Sequence, residues 1–258
     1  RSLKTNVRKE MLMRKKRENV PNPASYEQMR EVLTMVVKAV PRLSGERAKY
    51  FTGRQRQVAA SVRAIFSAPD ASPHHNALES WTTFYRAEFG IELDPATVRV
   101  PDPKPGFGAL IVVVPGITIE RVLQQCQKYF KVWRWTCTNL DECTESTRKA
   151  TTAPYAVWVR GGTEADAEHK NKSYDALQQE GVVGITLLEC LLLHLSRFRA
   201  ISTHLDSATV TLCTGSLDRD GDVANAYWRV DRSTLYVDWF GRGSAYGELR
   251  VREVVPMQ

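Results

Sequence analysis

Residues 204–255 decide how this chain folds. They read ATVTLC (208–213), TGSLDRDGD (214–222), VANAYWRV (223–230), DRS (231–233), TLYVDWF (234–240) and, after a Gly-rich turn, GELRVREVV (247–255). Runs rich in β-branched and aromatic residues alternate with Gly, Asp and Ser clusters, the signature of successive antiparallel strands. A period of two puts Leu235, Val237 and Trp239 on one face and Tyr236, Asp238 and Phe240 on the other. Four strands are expected.

A sheet with one apolar face needs a cover. The segment just upstream supplies it. Thr186 followed by Glu189 forms a capping box, and Leu187, Leu188, Leu191, Leu192 and Leu195 give a helix broad enough in its apolar face to be nearly buried. This helix is expected to pack on the sheet and form the main core.

Farther upstream, Ala109–Val114 is a continuous apolar run read as a buried strand. A helix is expected from Thr118 to about Trp133, a short strand near Trp133–Thr138, and a mostly loop segment over 139–152. Tyr155–Val159 reads as another strand, and 163–179 as a polar, exposed helix. Trp81, Phe84, Tyr85 and Phe89 recur at helical spacing and read as core. Stacking platforms for bases usually lie on exposed strands or loops.

The N-terminal quarter differs in character. The chain of 258 residues carries a net +7, yet residues 1–66 hold 16 Lys and Arg against 5 Glu, a net +11. The remaining 20 basic and 24 acidic residues net −4. Arg8, Lys9 and the run Arg14, Lys15, Lys16, Arg17 form a basic arm. Ser25 and Gln28 cap a helix whose apolar positions run from Met29 to Val40, and a second helix over 55–66 carries Arg54, Arg56 and Arg63 near or on its polar side. The connection 41–53 is too long for a recognition turn, so a helical hairpin is favoured over a DNA-reading helix-turn-helix. Residues 67–78, with His74 and His75, read as a linker. The division is therefore 1–66, arm and hairpin; 67–78, linker; and 79–258, body. The fold class is α+β: a basic helical N-terminal region, then a mixed α/β body ending in an antiparallel meander packed on an apolar helix.

YAVWVR (155–160), GITLLE (184–189) and HLD (204–206) through TLCTGS (211–216) resemble blocks in hypothetical proteins of unknown function from reduced-genome bacteria. The resemblance covers the C-terminal half and implies a bacterial origin and a cytosolic setting. It implies no activity and no site residues.

Three constellations bear on chemistry. Cys213 with Arg219 six positions on matches the spacing of a cysteine phosphatase loop, in which a thiolate attacks phosphorus and Arg clamps its oxygens. Against it, a strand follows where such a loop leads into a helix, and Asp218, Asp220 and Asp222 would repel a phosphate. A buried Cys at a strand end is the favoured reading. Those three aspartates also resemble a calcium loop, but counting from Ser216 puts Tyr227 where the bidentate Glu should stand. A β-turn is favoured, with no cofactor or metal expected. His204 and Asp206 precede Cys213, and a Cys–His pair would be a catalytic alternative.

No apolar run reaches membrane-span length. Five cysteines without framework spacing fit a reducing, cytoplasmic compartment. The expected function is a non-enzymatic nucleic-acid-associated module. Its phosphate contacts would come from Arg8, Lys9, Arg14, Lys15, Lys16, Arg17, Arg54, Arg56 and Arg63. The alternatives are a hydrolase centred on Cys213 and an interaction subunit with an acidic protein partner.

Overall fold

The computed structural model describes residues 73–135 and 139–257, together with Arg30, Gly45, Lys49 and Gly53. The chain divides into two compact units, 1–69 and 70–258. The basic arm, the helix expected from Met29 to Val40 apart from Arg30, the helix expected over 55–66, and the arginines at 54, 56 and 63 lie outside the described residues. The second unit is an α+β body.

Helix α1, Pro73–Phe89, starts inside the stretch read as a linker, so residues 73–78 are helical. Proline at a first helical position lacks only an N–H that has no intrahelical partner there. The aromatic stripe of α1 is core, as its spacing indicates. Trp81 is 6% exposed and Tyr85 fully buried. Their polar tips are satisfied on β1, Ala109–Val113: Trp81 Nε1 donates to Leu110 O and Tyr85 Oη to Val112 O, each at 2.7 Å.

Strand β1 is followed by α2, Ile119–Cys126, capped by Thr118. The helix is shorter than its apolar pattern suggests, because the chain turns at 127–130 into β2, Lys131–Arg134. A single helical turn, α3 (Leu140–Cys143), and the two-residue β3 (Glu145–Ser146) precede β4, Tyr155–Val159. The helix expected over 163–179 is instead broken into a 3₁₀ turn at Ala167–His169 and α4, Tyr174–Gln179. Asp166 is drawn out of any helical ladder by Arg160 Nη1 at 2.7 Å and by the N–H of Glu253 at 2.8 Å, and Asn171 takes a positive φ of 59°.

Helix α5, Leu187–Ile201, carries the expected capping box and ends at Ser202 in the left-handed conformation. The box residue Glu189 is fully buried and accepts from Arg148 Nε and Nη2 at 2.8 and 2.7 Å and from Tyr155 Oη at 2.9 Å. The start of this helix approaches the next strand so closely that a Cβ on Gly184 would lie 1.8 Å from Thr214 Oγ1. Only glycine fits there.

Strands β5 (Val210–Leu217), β6 (Val223–Arg229) and β7 (Thr234–Phe240) form the expected antiparallel meander. The fourth strand differs from expectation. It divides into β8, Leu249–Val251, parallel to β5, and β9, Val254–Val255, which crosses to the other sheet beside β4. The break falls at Arg252, which is 1% exposed. Its guanidinium donates to Asp206 Oδ1 at 2.7 Å, to the carbonyls of Gly162 and Thr163 at 3.0 and 2.8 Å, and to Thr211 Oγ1 at 3.2 Å.

Two sheets result. One has the order β1-β4-β9. The other has the order β2-β7-β6-β5-β3, with β8 also on β5. Helix α5 packs against β1 of the first and against β5 and β6 of the second. It is therefore the wall shared by both sheets, and Leu187, Leu191, Leu192 and Leu195 are fully buried in that role.

Candidate functional site

Alternation in the six-stranded sheet sorts its residues onto two faces. The face toward α5 takes Val132, Trp228 and Leu235 in one row, with Ala224, Ala226 and Val237. The outer face takes their neighbours. On its β5 side it is covered by a small second core in which Leu212, Val223 and Val251 meet Leu177 of α4. Toward β2 this cover stops.

What the outer face presents there is aromatic. Trp133, Tyr236 and Tyr227 stand opposite one another across β2, β7 and β6. The Trp133 and Tyr236 rings lie 4.7 Å apart at 32°, and Tyr236 stacks on Tyr227 at 5.4 Å and 28°. Trp135, two residues along the same face, is 70% exposed and meets the edge of Trp133 at 6.2 Å. Trp133 itself is 37% exposed.

Cations border this row. The Arg229 guanidinium lies 5.6 Å from the Tyr236 ring centroid and is oriented by two hydrogen bonds to Asp231, at 3.1 and 2.9 Å. Arg232 Nη1 donates to Tyr236 Oη at 3.4 Å. Lys131, exposed, shares the face of Trp133 on β2 by alternation. The next row holds Asn225, fully buried, whose Nδ2 and Oδ1 find no hydrogen-bond partner among the described residues. An unpaired buried amide costs about 1–3 kcal/mol. Tyr227 also lines a pocket of about 520 Å³ at this end of the sheet.

Of these rings Trp133 and Trp135 are exposed, Tyr227 is half-buried and Tyr236 is buried, 8% exposed. The two tryptophans, edged by guanidinium and ammonium groups, suit flat, anionic, stackable ligands. None of the row's residues was picked out from the sequence. The available signal was the alternation in 131–135, which puts Lys131, Trp133 and Trp135 on one side of a strand too short to bury them.

The residues singled out from the sequence are placed differently. No hydrogen bond joins any two of Cys213, His204, Asp206 and Arg219 among the described residues. Cys213 is fully buried within β5, and its thiol, beside Cys190, is pushed well above the ordinary thiol range by burial and by that neighbour. Arg219 is exposed and donates to Glu142 O at 3.1 Å. Asp206 is the buried partner of Arg252 and also accepts from Thr209 and Thr211. His204 stacks on Trp228 with centroids 3.3 Å apart at 5°, and its Nδ1 lies 3.0 Å from His194 Nε2. Burial lowers both imidazoles, His194 to about 3 and His204 to about 4, so both are neutral near pH 7. These groups build core rather than a nucleophile with its base.

Asp218, Asp220 and Asp222 form the β5–β6 turn, where Asp218 Oδ1 accepts from the N–H groups of Asp220 and Asp222, both at 2.9 Å, and Gly221 has φ 86°. Gly221 N donates to Asp218 O at 3.2 Å, which closes the β-turn expected of the sequence. Ligand atoms of Asp166, Glu168 and His169 do lie within 4.8 Å of one another. There the Arg160 guanidinium already acts as the cation, bound to Asp166, Glu168 and Glu253 at 2.7, 2.7 and 2.9 Å.

A larger cleft of about 790 Å³ lies between α1 and α5. Its walls are mostly apolar, and the Glu88 and Arg199 on its rim bind each other at 2.6 Å. The smaller site on the sheet has the more distinctive chemistry. No helix among the described residues is long and apolar enough to cross a membrane. Comparison of the chain with known protein families, curated proteins and solved structures gave no match.

Proposed function

We propose that this protein is a non-enzymatic module that binds single-stranded nucleic acid on the outer face of its six-stranded sheet. The observation that carries the reading is the exposed pair Trp133 and Trp135 at the end of an aromatic row continued by the buried Tyr236 and half-buried Tyr227, with Arg229 over Tyr236. Every nucleobase has a π-face, so such a row binds strands with little regard to sequence, while neighbouring cations meet the phosphates. The basic arm adds to this from the sequence alone. Arg14, Lys15, Lys16 and Arg17, with Arg8 and Lys9, would supply counterion-releasing phosphate contacts. The cysteines among the described residues are free thiols, which fits a cytoplasmic, reducing setting.

The test uses the full chain and fluorescent RNA and DNA oligonucleotides of about eight nucleotides, over a salt series. The Trp133→Ala/Trp135→Ala double variant should bind at least about 30-fold more weakly, since each of two stacked bases contributes about 1–3 kcal/mol. Replacing Arg14, Lys15, Lys16 and Arg17 with Ala should instead flatten the dependence of log K on log salt by about two to four units. If the unaltered protein binds neither RNA nor DNA at low salt, the reading fails. An interaction subunit with an acidic protein partner then takes its place.

A further inference from the structure

The aromatic row leads into a cavity. Tyr227, its last ring, is also part of the wall of the pocket of about 520 Å³, with Phe240 and Arg229 among the other lining residues. The volume falls within the roughly 300–1,000 Å³ range of small-molecule sites. A strand lying on the row would reach this pocket with one residue, and an unstacked base is the planar group its aromatic side would receive.

The polar lining narrows the base. Two exposed acidic residues, Asp231 and Glu248, line the same pocket. Asp231 is engaged by Arg229. Glu248 uses its main-chain carbonyl to accept from Val210 N, while its carboxylate makes no hydrogen bond or ion pair among the described residues. An ionised carboxylate only accepts hydrogen bonds, and its two oxygens suit a pair of parallel donors. Guanine alone among the common bases presents two adjacent donors, N1–H and the 2-amino group. Adenine and cytosine present one amino group beside an acceptor. Uracil and thymine present one N–H flanked by two carbonyls, which the carboxylate would repel.

We infer that this pocket takes a guanine base unstacked from a strand bound on the aromatic row, with the Glu248 carboxylate accepting from N1–H and the 2-amino group. The inference rests on the reading of the sheet face as a single-strand site. It adds a base preference to a surface that is otherwise indifferent to sequence.

The experiment measures binding of the full chain to an oligouridine of about eight nucleotides. The same oligomer is then tested with one guanine at the 5′ or the 3′ end, and with inosine, which lacks the 2-amino group, in that position. One guanine-bearing oligomer should bind about tenfold more tightly than oligouridine, with inosine between them. Glu248→Gln, at an exposed position, should remove that advantage and leave oligouridine binding unchanged. If oligouridine binds and guanine adds nothing, or if the advantage survives Glu248→Gln, the pocket assignment is overturned while the aromatic-face reading stands. If no oligomer binds, both fall together.

Discussion

Trp228 and Tyr227 are consecutive on β6 and belong to two different molecules, chemically speaking. Trp228 faces inward, 8% exposed, in a stack with His204 and beside Phe130. Tyr227 faces outward into a row that ends in a half-open Trp133 and a largely open Trp135. Both faces are aromatic, so hydrophobicity alone does not separate them. What separates them is coverage. The inner face has α5 across it; among the described residues the outer face has α4, whose small core takes in Tyr227 and Phe240 and leaves Trp133 and Trp135 open. Aromatic residues under a helix are accounted for by packing; those left on a sheet beyond any helix call for a ligand.

The contrast breaks most readily at the inner wall. Leu191→Ala in α5 should cost about 2–5 kcal/mol of stability, because the cavity would open between two sheets with little freedom to collapse. Urea unfolding measures it; a loss of a few tenths would mean that α5 is not the wall the two sheets share.

Acid should probe the same side. His194 faces His204 and lies near Arg252, and burial holds its folded pKa at about 3. The unfolded chain binds the proton below about pH 6.5, so the stability from the neutral ring is complete above that value and declines as pH falls toward 3. Between pH 7 and 5 this single group should account for about 2 kcal/mol. Unfolding curves at the two pH values, compared with those of His194→Gln, isolate it. An identical pH dependence in the variant would remove His194 as the cause.

The smallest effect is expected outside. Trp135→Ala should shift stability by no more than about 0.5 kcal/mol, because a ring 70% exposed and touching Trp133 only at its edge buries little surface. A much larger loss by thermal unfolding would mean that this tryptophan holds the fold together, and the contrast between the faces would lose its basis.

Much of the inner face was legible. Thr186 and Glu189 announce α5 through a local hydrogen-bond pattern, and the alternation in 234–240 sorts Leu235 from Tyr236 without knowledge of any partner. The polar run 163–179 misled, because its breaks are set by Arg160 and Glu253, which are remote from Asp166 in sequence or fixed only by the fold. The outer site was illegible for a similar reason. Trp133 reaches Tyr236 through a parallel pairing of strands about one hundred residues apart, and sequence reading has no rule that pairs β2 with β7. The attention drawn to Cys213, His204 and Asp206 came from closeness along the chain. Asp206 in fact waits for Arg252, and His204 for Trp228.

Arg252 carries one more consequence, for timing. It lies between β8, which completes one sheet, and β9, which completes the other, and its charge is buried against an aspartate made some forty-six residues earlier. Until residues 249–255 have been synthesised, β4 has β1 on one side and nothing on the other, β5 lacks its parallel partner and Asp206 lacks the Arg252 guanidinium. Pairings that span so much sequence are slow to form. The body therefore closes only after residues 249–255 have been made, with both sheet edges exposed in the interval. That interval is when the nascent chain would most need a chaperone.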